Sequence, residues 1–182
     1  LSHPVSAFIG TGKAWADFAA CQVDYPGASA TDQLFSLAWQ AGVNAVNAGG
    51  GGTLLMPRGT YVNNIQLSMK DMVGVRVEGA GQQTIIKPAA TWPNATNMID
   101  MSGSTDCELS NFCVDGVNID KATLQMSLLI GDGTTANPVY GRIKVTDLKI
   151  LNWEQQGLGL GANNAANNPD GVASMVEDIT YD

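Results

Sequence analysis

Histidine is almost missing from these 182 residues; His3 is the only one. A nucleophile activated by histidine therefore has one candidate base, near the chain end, and that chemistry is set aside. Cysteine is scarce and odd in number: Cys21, Cys107 and Cys113. An odd count does not complete a disulfide framework. Cys107 and Cys113 lie six residues apart in a stretch that reads as extended, about 20 Å at strand rise, too far to pair. With no Cys-x-x-Cys and no histidine cluster, no metal and no cofactor are expected. Free thiols in a protein folding in a reducing compartment are the economical reading.

Charge is sparse too, at 14% of residues, and its balance is acidic, −8. There is no basic stripe, so nucleic acid is not an expected partner. No apolar run reaches membrane-spanning length, so no membrane insertion is expected. The start, Leu1-Ser2-His3-Pro4, lacks the basic and then apolar regions of a secretion signal. It also lacks an initiating Met, and the chain stops inside a strand-like pattern at Tyr181-Asp182. The chain reads as a piece of a longer polypeptide.

What is abundant is apolar material, 45%, and glycine, 21 residues. The first allows a real core. The second, with many Asn, provides turns in left-handed backbone. A β-rich chain follows.

Residues 1–30 read as an irregular lead-in. Gly10-Thr11-Gly12-Lys13 looks like the end of a phosphate-binding loop, but Ala7 and Ala14 stand where that loop needs Gly and Ser or Thr. Residues 31–47 read as a helix capped by Ser29 or Thr31, with Asp32 in its first turn. Leu34, Leu37, Ala38, Ala41 and Ala45 fall on one face, and the glycines from Gly49 to Gly52 end it. Such a helix can plug the open end of a β-solenoid. Residues 48–182 then read as its first rungs, truncated at the C-terminal side.

The rungs rest on a repeated template: apolar, any, small or polar, apolar, any, apolar. Met72–Val77, Leu109–Val114, Val145–Ile150 and Val176–Tyr181 fit it, beginning 37, 36 and 31 residues apart. One rung cannot bury its apolar side chains alone; stacking at about 4.8 Å makes a continuous core. The third residue marks a bend. Thr84–Lys87, Met98–Met101 and Leu124–Ile130 supply the other apolar pieces. The fold class is an all-β right-handed parallel β-helix with an N-terminal capping helix.

The stretch from Asp32 to Tyr61 carries Asp32 before a helix, Gly50-Gly51-Gly52-Thr53, the apolar Leu54-Leu55-Met56, and Pro57-Arg58-Gly59-Thr60-Tyr61. It resembles the opening of the pectate-lyase-like superfamily, and Val75–Gly81 with Thr84–Lys87 looks like that superfamily's next rung. The resemblance spans roughly residues 24–182. The usual Phe-Gly-Ala-x-Gly-Asp-Gly lead-in is replaced here by Asp24–Ala30. The superfamily holds lyases, glycoside hydrolases, epimerases and phage tailspikes. The member type resembled most is a phage tailspike or tail fibre. That implies a homotrimer in the virion tail, made in the host cytoplasm. It would contact other tail proteins and bind, with or without cleaving, bacterial surface polysaccharide. The alternatives are a secreted polysaccharide lyase or glycoside hydrolase, and a purely structural virion component.

Strand alternation turns the template into a surface map. With Val75 and Val77 inward, Arg76 and Glu78 face out. Reading the four copies in one register stacks Glu78, Asp115, Leu151 and Asp182 in one outer column. Arg76, Cys113, Lys149 and Thr180 form the next. Glu78 and Asp115 would then lie about 5 Å apart, and Asp115 and Asp182 about twice that, spacings that fit the paired carboxylates of glycosidases. Glu78, Asp115 and Asp182 are the catalytic candidates. Arg76, Lys149, Trp153 and Glu154 are the substrate-binding ones. The same acids also fit solvated turn positions, Asp115-Gly116 being ordinary turn chemistry. Trp92 and Trp153 fit loop anchors as well as sugar platforms. Gly157–Asp170 reads as a long exposed loop.

Overall fold

The structure is a computed structural model. It describes residues 23, 26–29, 33–90, 92, 97–116 and 142–152, together with the backbone pairing of 2–4, 126–130, 156–160, 175–176 and 179–181.

Every strand pairing is parallel. In the larger sheet β1 (Ser2–Pro4), β2 (Gly52–Met56), β5 (Val75–Gly79), β8 (Glu108–Asp115), β10 (Lys144–Leu151) and β12 (Met175–Val176) lie in that order. Beside them β3 (Gly59–Asn63) pairs with β6 (Thr84–Pro88). β6 also pairs with the far half of β8, and β13 (Ile179–Tyr181) with that of β10. The smaller sheet runs β4 (Leu67–Ser68), β7 (Ile99–Asp100), β9 (Met126–Ile130), β11 (Gln156–Leu160). Successive passes of the chain stack, as the repeat requires. The expected loop from Gly157 is strand as far as Leu160; residues 161–170 lie outside the described residues. Ser2–Pro4 also departs from the irregular lead-in, because its backbone continues the large sheet one strand past the glycine-rich turn.

The core is built from vertical columns. Leu54, Val77, Leu109 and Val145 stack by register, all fully buried. Ile86, Val114 and Ile150 form a second column. Leu67 and Ile99, both fully buried, pair in the smaller sheet, and its backbone register continues through residues 128 and 158. Stacking like on like lets every rung bury what it cannot bury alone.

The corners stack as well. Gly51, Gly74, Asp106 and Arg142 occupy equivalent places before their strands, and all have positive φ, from 104° to 55°. β8 and β10 bend at Asn111 and Asp147, with φ of 68° and 51°. Gly, Asn and Asp tolerate this region best, which is why the template shows them at its third position.

The helix α1 (Leu34–Ala48) begins after Gln33, which gives no side-chain cap. Thr31 and Asp32 lie outside the described residues. The buried face of α1 includes Leu37 and Ala38, as expected, and extends to Phe35, Trp39, Val43 and Val46; Leu34 and Ala41 pack at its margin, while Ala45 is exposed. Trp39 and Val43 are fully buried in the end of the solenoid. The plug is polar as well as apolar. Gln40 accepts from Ser68 N at 3.1 Å and donates to Ser68 O at 3.0 Å, as a neighbouring strand would. Ser36 Oγ accepts from Asn64 N and Asn47 Oδ1 from Val73 N. An unpaired strand edge costs free energy and invites association; α1 removes both problems. Gln40→Ala is expected to cost about 1–3 kcal/mol, because both backbone groups of Ser68 lose their partner. The check is the urea midpoint at constant slope.

Candidate functional site

β8 pairs with β5 and β6 on one side and with β10 on the other, and these registers decide what meets on the outer face. Three template copies stack as expected: Leu109 on Val145 and Val145 on Val176, with Val114 on Ile150 and Ile150 on Tyr181. The first copy is displaced. Val77 lies on Leu109, not on Val114, and Glu78 lies on Ser110. The cause is a turn. β5 fills only the first half of its rung, the chain loops through Ala80–Gln83, and β6 fills the second half, with Ile86 on Val114. Glu78 and Asp115 therefore stand five residues apart along the rungs, on opposite sides of the bend at Asn111. The close carboxylate pair expected of them is not formed. Arg76 likewise leaves the column of Cys113 and Lys149, which do stack on one another.

The residue that meets Asp115 from below is Lys87, at 3.1 Å. From above, Asn152 Nδ2 donates to Asp115 Oδ1 at 2.8 Å. Asn152 sits in left-handed backbone just past β10, a turn that brings its amide to the carboxylate. Asp115 is 8% exposed. It is an outward-facing acid that its neighbours enclose and hold by both oxygens. Cys113, expected to be exposed, is buried beside it. Burial pushes its thiol up; Asp115 adds to this, and Lys149 and Lys87 oppose it. Cys107 is likewise buried and free, its thiol pushed up chiefly by burial.

On the other side of the bend, Arg76, Glu108 and Lys144 stack on three successive rungs. Arg76 Nε lies 2.7 Å from Glu108 Oε2 and Lys144 Nζ 3.5 Å from Oε1. At the strand positions flanking the bends, this face holds Arg76, Lys87, Lys144 and Lys149 against Glu78, Glu108 and Asp115. Among the described residues that is four cations and three acids, with Asp147 exposed at the bend of β10.

Lys87, Glu108, Lys144 and Asn152 were not singled out from sequence. The alternation in Thr84–Pro88 does put Lys87 outward, but its partner depends on a register that no local pattern carries. Trp92 is buried, with its N–H bonded to Ala89 O, the arrangement of a loop anchor. Trp153, Glu154, Asp182 and Cys21 lie outside the described residues, as do the side chains of His3 and Thr180. Among the described residues no group of three or more His, Cys, Asp or Glu is placed to hold a metal. No helix among them is long and apolar enough to cross a membrane.

No family model and no curated protein matches the chain. Solved structures do. The A-modules of the Azotobacter vinelandii mannuronan C-5 epimerases AlgE6 and AlgE4 match over 87% of this chain, with 21% and 18% identity and TM-scores of 0.63 and 0.60. The iota-carrageenase of family GH82 from A. fortis matches over 100% of it, at 18% identity and a TM-score of 0.52. The chain spans 40%, 42% and 39% of the length of these three structures. At such identities the likeness is one of fold, and that fold is the right-handed parallel β-helix.

Proposed function

We propose that this chain is part of a polysaccharide-active β-helix protein that binds an acidic glycan across the outer face of its large sheet, with Asp115 as the acid–base group. The observation that carries this is the geometry of Asp115: an enclosed carboxylate on an outer face, fixed from below by Lys87 and from above by Asn152. A carboxylate held in one orientation is suited to proton transfer, and the lysine beside it can meet negative charge on a bound sugar. Among the described residues Asp115 stands without a close second carboxylate, which suits proton abstraction from a sugar, as in lyase or epimerase chemistry, more than two-carboxylate hydrolysis. The fold neighbours named for mannuronan and carrageenan point to the same substrate class.

Asp115→Asn keeps the size of the side chain and its contact with Asn152 while removing the charge. It is expected to lower turnover at least about 100-fold, the size of a general acid–base contribution. The assay is release of unsaturated or reducing ends, and exchange at the sugar ring, from a panel including mannuronan and carrageenan. Turnover equal to that of the unaltered protein would sink the assignment.

A second reading, a phage tailspike or tail fibre that uses the same face to bind a bacterial surface polysaccharide, draws on the free thiols Cys107 and Cys113. It expects a homotrimer among other virion tail proteins, and a single-chain mass in sedimentation would count against it.

A further inference from the structure

We propose that Arg76 and Lys144 form a subsite for one acid group of the glycan, and that Glu108 is the positioning residue that holds the two cations for it. This rests on the reading of the outer face as the glycan-binding face.

The three residues come from successive rungs in one register. Glu108 gives one oxygen to each cation: Oε2 to Arg76 and Oε1 to Lys144. The side chains of Arg76 and Lys144 are 53% and 47% exposed, while that of Glu108 is 16% exposed. The acid therefore lies beneath the cations and the cations face solvent. Arg76 meets Glu108 through Nε, which leaves the two Nη groups of its fork for another acceptor. Lys144 has three N–H donors and directs one charge at Glu108.

As a stability device this arrangement is weak. Half-exposed ion pairs contribute little and must oppose the entropy of two long side chains. As a splint it is effective, because rotamers fixed before binding need not be fixed on binding. The trio keeps a net charge of +1. An anion arriving from solvent meets the two cations before the carboxylate below them.

The test turns on a sign. Glu108→Gln removes a negative charge from the face. If Glu108 only repelled the ligand, this variant would bind an acidic oligosaccharide more tightly. If Glu108 is the splint, binding weakens although the face has become more positive. The probe is a mannuronate hexamer, with a neutral dextran hexamer as control, titrated by calorimetry into the full chain. Arg76→Gln and Lys144→Gln are each expected to weaken the acidic hexamer about tenfold, the size of one charge-assisted hydrogen bond. Both are also expected to flatten the salt dependence, with dextran unaffected. Arg76→Lys keeps the charge and removes the fork, so it tests the subsite without unbalancing the rung. It should weaken the acidic hexamer alone.

Tighter or unchanged binding in Glu108→Gln overturns the splint. Unchanged binding in the Arg76 and Lys144 variants overturns the subsite. In both cases loss of turnover in Asp115→Asn leaves the function itself standing. If the unaltered chain does not distinguish the acidic hexamer from dextran, the acidic-glycan reading and this inference fall together.

Discussion

Gly79→Val is expected to destabilise the protein by about 3 kcal/mol or more, the upper range for overpacking. Gly79 ends β5 where the chain turns towards β6, directly under the bend of β8. A Cβ there would press on the carbonyl oxygen of Asn111 and lie 2.7 Å from Phe112 Cβ. Neither neighbour can move easily. The Asn111 carbonyl accepts from Gly81 N at 3.0 Å, and Phe112 is fully buried. The backbone of Gly79 is not left-handed, so the cost is one of space rather than of φ. Chemical denaturation checks it, with Gly27→Ala as control, because a Cβ at Gly27 meets nothing within 4 Å. A midpoint for Gly79→Val equal to that of the unaltered protein would mean that the β5–β8 approach is not tight.

Leu109→Ala is expected to cost about 2–5 kcal/mol, the range for emptying a buried leucine site. Leu109 is the middle of the column Leu54–Val77–Leu109–Val145, with rungs above and below it. In a solenoid each rung is stabilised by its nearest neighbours. The cavity therefore weakens two interfaces at once. Besides a lower midpoint, the unfolding transition is expected to broaden as the rungs on either side lose their coupling. A fall below about 1 kcal/mol with an unchanged slope would show that the column relaxes into the space. Val62→Ala, on an exposed position of β3, is the matched comparison and should be nearly silent.

Much of the fold could be read along the chain because its rules are local. The template marked real strands at Leu109–Val114 and Val145–Ile150. Its third position is left-handed in both, at Asn111 and Asp147. The alternation around Val75–Val77 separated inside from outside correctly. The helix was legible in place and in most of its face: Leu37 and Ala38 are buried and Leu34 and Ala41 pack against the core. Ala45 is exposed, and much of the bulk that fills the solenoid end comes from Phe35, Trp39, Val43 and Val46.

The site was less legible. Arg76, Asp115 and Lys149 were legible as outward positions on well-marked strands. Asp115 was given the wrong partner, because Met72–Val77 matches the template yet occupies a different part of its rung. A four-residue turn, Ala80–Gln83, converts one strand into two and shifts the register. A period that varies with loop length cannot be aligned by counting residues. For that reason Lys87, Glu108, Lys144 and Asn152 escaped notice, though each is an unremarkable outward residue in its own segment.

By itself, the sequence determined which residues face inward, where the backbone must turn, and that passes of the chain must stack to bury what one pass cannot. These follow from side-chain alternation, from the conformational freedom of Gly, Asn and Asp, and from hydrophobicity, all of them properties of a residue and its near neighbours. Only the tertiary structure decided which charges meet. Contact between rungs joins residues about 30 apart along the chain, and hydrogen-bond register, not spacing, sets Lys87 and Asn152 around Asp115 and gathers Arg76 and Lys144 on Glu108.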